Sequence, residues 1–236
     1  MKTQTMKFGT RLLALLISLW ILNGASAGYA QDIRWLRVGE LQSPINEMGA
    51  EYEVEFNFPG GNSNFFSWPA QYGINQNVTR MKGVWIGCRN FDDPVEKKIK
   101  SVKVIGAGPR AAATPDVIFP QEIKLIGKFP RPTVIVDDAP ATALEQYDLV
   151  DEYDANLPCD RMVLVRFNTS MGVSVTKKVL AFSQSDQSNY YINDYVFKNT
   201  GIIAAAGTVK QQTLDSVWVY FHYRYAFGGE TVTGGS

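Results

Sequence analysis

Histidine and cysteine are scarce in this chain. Its 236 residues include one histidine, His222, and two cysteines, Cys88 and Cys159. Those three side chains cannot fill the four positions of a structural zinc site by themselves. Any Ser-His-Asp or Cys-His centre has to be built on His222. Net charge is lacking too, since 23 Lys and Arg balance 23 Asp and Glu. Nothing therefore pulls the chain toward nucleic acid or an anionic membrane surface. Past the N-terminus no apolar run approaches the roughly 20 residues that a spanning helix needs. Helix-like stretches are few, and the one candidate, Ala141–Leu149, is short.

What is present begins with a leader. Lys2, Lys7 and Arg11 precede the 11 apolar-rich residues Leu12–Leu22, and a small, polar stretch follows, NGASAGYAQD. Positive, apolar and small-residue zones in that order are the layout of a secretory signal peptide. Cleavage fits after Ala27 or Ala30, with Ala30 preferred. The expected division is a signal peptide over 1–30, a β-sandwich domain over 31–227, as one unit or two small subdomains, and a tail or linker over 228–236. Removing 1–30 leaves 20 cations against 23 acids, a net charge of −3. The expected location is secreted, periplasmic or on the outer cell surface, with no membrane span after cleavage.

Short runs of Val, Ile, Phe, Tyr and Trp recur between Gly, Pro, Asn and Asp. They predict strands near Trp35–Leu41, Tyr52–Phe58, Gly83–Cys88, Lys100–Ile105, Glu122–Phe129, Thr133–Val136, Met162–Asn168, Val173–Phe182, Tyr190–Phe197 and Ser216–Phe227. In EYEVEFNF, Tyr52, Val54, Phe56 and Phe58 share one face and Glu51, Glu53, Glu55 and Asn57 the other, the pattern of a half-buried strand with a charged face. RMVLVRFNTSMGVSVTKKVLAF reads as a hairpin turning at Asn168–Gly172. In YVFKNTG, Asn199 and Gly201 predict a turn. Many short strands between turn signals indicate an all-β, mainly antiparallel sandwich.

One stretch, VKVIGAGPRAAATPD (Val102–Asp116), resembles the glycine-rich turn of a dinucleotide site. That site needs a parallel strand, a helix starting at once, and an acid that closes the next strand. Pro115 and Pro120 exclude a long helix, because proline inside one costs about 3 kcal/mol or more. Glu122 opens a strand rather than closing one. The stretch reads as a strand leaving its sheet at Ile105 and turning at Gly108-Pro109.

The remaining candidates are binding groups. In VWVYFHYRYAF, the alternation sets Trp218, Tyr220, His222 and Arg224 on one face and Val219, Phe221, Tyr223, Tyr225 and Phe227 on the other. Exposed, Trp218 and Tyr220 make a platform for sugar rings or a protein partner; buried, they are packing. The acidic stretch with Asp148, Asp151 and Asp154 offers oxygens of the kind that bind calcium. It lacks the central glycine and closing Glu of a calcium loop, and a solvated acidic loop is the preferred account. Exported chains meet an oxidising compartment, which leaves open whether Cys88 and Cys159 pair across about 70 residues or are two separate buried thiols.

WLRVGELQS, WPAQY, KGVWIGCRNFDDP, VIGAGPR, VDEYDANLPCDRM, SVTKKVLAFSQ and YINDYVFKNTG together resemble the N-terminal region of large exported bacterial proteins, many with later sandwich modules and a type IX sorting domain. The resemblance runs from Trp35 to Phe227. It implies a secreted or surface β-rich module, with no catalytic residues and no nucleotide to carry over. Ending at Ser236 without those later modules, the sequence reads as a fragment or truncated frame, which puts surface attachment in doubt. The expected function is a non-catalytic module with a structural or interaction role, its partner a protein or glycan. The alternative is a carbohydrate-binding module or a piece of a polysaccharide-processing enzyme.

Overall fold

Inward apolar residues alternate with outward polar ones along most of the strands, and two sheets bury the inward rows against each other. The computed structural model describes residues 32–52, 66–72, 77–106, 117–130, 133–141 and 149–225. The leader, the turn at Gly108-Pro109, most of the Ala141–Leu149 helix candidate, Asp148 and the tail lie outside them. All the described residues belong to the unit that starts at Asp32.

The first sheet has seven strands: β1 (Ile33–Val38), β2 (Leu41–Asn46), β3 (Glu51–Tyr52), β4 (Phe66–Ser67), β5 (Asn77–Asp93), β6 (Lys98–Gly106) and β14 (Asp215–Tyr225). The 17-residue β5 is its spine: β14 pairs along one side, and β6, β3 and β4 pair with successive parts of the strand. Every pair is antiparallel. The second sheet has the order β10-β7-β11-β12-β13, from β7 (Ile118–Gly127), β10 (Glu152–Tyr153), β11 (Arg161–Thr169), β12 (Gly172–Ala181) and β13 (Tyr191–Ile202). Its only parallel pair is β10 with β7. A small hairpin, β8 (Ile135–Val136) and β9 (Ala139–Pro140), turns at Asp137-Asp138 with both residues at positive φ, the backbone of a tight hairpin turn.

One core joins the two large sheets. Leu36, Ile45, Ile86 and Phe91 from the first meet Leu125, Val163, Val165 and Val179 from the second. This is the all-β, mainly antiparallel sandwich that the strand pattern predicts. A smaller cluster lies around Ile126, Leu157, Cys159, Met162 and Leu164. Cys88 sits in the first cluster and Cys159 in the second, both free and buried. The pairing that the sequence left open is therefore not made. Burial pushes both thiols above their ordinary pKa.

Three local readings change. The strand expected over Trp35–Leu41 breaks at Gly39-Glu40, where the β1–β2 hairpin turns. β13 runs through Asn199-Thr200-Gly201 to Ile202, so the predicted turn is a bulge within the strand: Gly172 faces Ile202 while Val173 faces Asn199. β6 extends to Gly106 and lies antiparallel to β5. A dinucleotide site needs a parallel strand there, so that possibility is closed by the sheet itself. The β11–β12 hairpin turns at Ser170–Met171, with Gly172 at φ +82°.

Candidate functional site

The register of β14 on β5 decides which side of each aromatic residue faces out. Trp218 lies opposite Gly87, Tyr220 opposite Trp85 and His222 opposite Gly83. Val219 and Phe221 lie opposite Ile86 and Val84. Ile86 is 3% exposed, so the odd-numbered row turns inward and the even-numbered row outward. Two faces follow from alternation alone; the pairing with β5 determines which one is turned toward the core.

On the outer face, Trp218 is 72% exposed, Tyr220 59% and Trp85 37%. His222 is half-buried. Trp85 meets Tyr220 edge-on at 6.5 Å, and the His222 ring lies 6.4 Å from Trp85 and 6.0 Å from Tyr220, nearly parallel to the latter. These rings form a continuous aromatic surface across two strands. Glycines shape its floor. Gly83, Gly87 and Gly106 are the register neighbours around Trp85, and a Cβ at Gly106 would fall 2.4 Å from the indole Cδ1. Gly106, the first glycine of the dinucleotide-like stretch, is therefore the space over which Trp85 lies. Val104 and Val102 continue the apolar face on β6, more than half exposed. Arg224 is next in the outward row by register; its side chain lies outside the described residues.

A second cluster lies inside the sandwich, and the sequence reading missed it. Lys177 occupies an inward position of β12, in the row Val173, Val175, Lys177, Val179, Ala181. Its ammonium is fully buried and donates to Glu51 Oε1 at 2.6 Å and to the Gly49 carbonyl at 2.9 Å. Lys82 reaches the same carboxylate at 3.0 and 3.1 Å, and Ser43 Oγ donates to Glu51 Oε2 at 3.3 Å. The rings of Tyr195 and Tyr223 lie under the two ammonium groups. Burial pushes the Glu51 carboxyl up, but Lys177 and Lys82 outweigh it and hold the group down at about 2. Glu51, read from the alternation as solvent-facing, is 4% exposed. The signal for the cluster was present: one lysine in an otherwise apolar inward row. With the Lys177 and Glu51 side chains 0% and 2% exposed, no substrate reaches them. The cluster is structural.

Of the three calcium candidates, Asp148 lies outside the described residues, and Asp151 and Asp154 are each held by other protein groups. Asp151 is committed to Arg34, whose guanidinium donates to both carboxylate oxygens at 2.7 and 2.9 Å, and to the Leu125 N–H at 2.6 Å. Asp154 accepts from the Asn156 N–H. Among the described residues no group of three or more His, Cys, Asp and Glu is arranged to hold a metal ion. Among them, too, no helix is long and apolar enough to cross a membrane. No family model, curated protein or solved structure matches the chain.

Proposed function

We propose that the protein is an exported, non-catalytic β-sandwich module that binds carbohydrate on the outer face of β5 and β14. The observation that carries this reading is the exposure of Trp218 and Tyr220 beside Trp85, over a glycine floor. Packing alone buries such rings; here the largest side chains of the strand point into solvent. Large exposed apolar patches mark binding surfaces in general. A continuous aromatic surface with the hydrogen-bonding edges of Trp85, Tyr220 and His222, and no charge between Trp218 and His222, suits the apolar C–H faces of sugar rings. The leader supports export, as does the resemblance of the stretches between Trp35 and Phe227 to exported bacterial proteins.

The test is a glycan-array and cell-surface binding screen, followed by titration calorimetry with the best soluble oligosaccharide. Trp218→Ala is expected to weaken binding at least tenfold, which is about 1.4 kcal/mol, with the melting temperature unchanged. Binding that survives loss of both Trp218 and Tyr220 would overturn the reading.

A further inference from the structure

β14 is a sheet edge of an unusual kind. Among the described residues it pairs with β5 alone, so one side of its backbone has no strand partner. Natural edge strands are guarded against pairing with other chains by lysines, other charges or proline. Other terminal strands here follow that rule: β1 carries Arg34 and Arg37, β6 carries Lys98, Lys100 and Lys103, β13 carries Asp194 and Lys198, and β10 carries Glu152. From Val217 to Tyr223, β14 carries no lysine, arginine, acid or proline.

The ground under this edge is also uncovered. Val217, Val219 and Phe221 point to the core side yet are 48%, 37% and 42% exposed. A groove of about 390 Å³ opens beside them, lined in part by Ile86, Val173, Phe197 and Leu214. An added strand would pair with the free backbone and at the same time lay its own inward side chains over this groove.

We propose that the occupant is β14 of a second copy, paired antiparallel about a two-fold axis at Tyr220. Two features select a copy. Centring on Tyr220 sets Val219 of each chain opposite Phe221 of the other, and Trp218 opposite His222, so inward rows meet inward rows and outward rows meet outward rows. The charges of β14 stand at its two ends, Asp215 and Arg224. β14 bulges at Ser216-Val217, and the antiparallel register brings the Arg224 position of each chain to that bulge, beside Asp215 of the other, at both ends. Parallel pairing would instead bring like charges together. Such a contact is self-complementary, as a two-fold interface has to be. It joins the seven-stranded sheets of both copies edge to edge and doubles the aromatic face, but it stands independently of what that face binds.

Sedimentation equilibrium on the purified protein is expected to show a reversible dimer. Val219→Lys, which puts a charge at the centre of the edge and off the outer face, is expected to raise the dimer dissociation constant at least tenfold, with the circular dichroism spectrum of the parent. The register has its own test. Tyr220→Cys places two thiols across the axis at the 4.5–5.5 Å Cα spacing of opposed antiparallel residues, within disulfide range. In Trp218→Cys the two thiols stand about four residues apart along the paired strands, roughly 13 Å. Rapid oxidation to a covalent dimer is expected for Tyr220→Cys and not for Trp218→Cys. A monomer at every concentration, or equal cross-linking of the two variants, overturns the proposal, whatever the outcome of the glycan screen.

Discussion

Glu51 and Lys177 show how much one buried carboxylate can decide. Removing one partner of a buried ion pair leaves an uncompensated charge and costs about 3–5 kcal/mol. Glu51→Gln leaves Lys177 and Lys82 facing each other, and urea unfolding is expected to show a loss of that size. The pH dependence follows from the direction of the shift. The folded carboxyl titrates at about 2, below its ordinary 4.5. Its stabilisation is therefore complete above about pH 4.5 and is lost as pH falls toward 2. Acid unfolding of Glu51→Gln should lack that part of the transition. Gly106 makes a second residue-scale claim. In Gly106→Ala the new Cβ displaces the Trp85 indole, so tryptophan fluorescence should shift and glycan binding should weaken several-fold. Gly87→Ala meets only ordinary contacts at 3.7 Å and should keep the stability of the parent. Neither role is visible in the string: a period of two separates two faces but does not say which is inside, and a glycine does not name the ring that covers it.

At the scale of elements, hairpins carry the order of the sheets. Asp93 closes the turn between β5 and β6. Its carboxylate accepts the Val95 and Glu96 N–H groups at 2.9 and 3.2 Å and meets Lys100 and Lys103 at 3.0 and 3.3 Å. Burial raises this carboxyl, and the bonds from Lys100 and from the turn lower it by more. Asp93→Ala strands those groups and should cost about 1–3 kcal/mol in urea unfolding. Gly172 has φ +82°, and a Cβ there would stand 3.0 Å from the Gly201 Cα. Gly172→Ala should cost about 1–2 kcal/mol for its left-handed backbone, checked in the same assay. The β11–β12 hairpin was legible because its arms alternate and its turn residues are local. Asn199-Thr200-Gly201 was misread because the same residues that end a strand also make a bulge. The outcome was decided by Gly172 on the neighbouring strand, and by Lys210, whose N–H donates to the Gly201 carbonyl.

At the scale of the molecule, the two free thiols make stability independent of redox conditions. Reducing agent should leave the melting temperature unchanged, and Cys88 and Cys159 should react with a thiol reagent only on unfolding. The sequence by itself determined the sandwich class, most of the strands and the two faces of β14, because alternation and turn chemistry act over a few neighbouring residues. Only the tertiary structure decided three things. It separated the cysteines into two clusters, turned Glu51 inward to meet Lys177, and set Trp218, Tyr220 and Trp85 side by side in solvent. Each depends on where residues tens of positions apart or more are placed relative to one another by strand order and register, and none of the three can be read from the spacing along one strand.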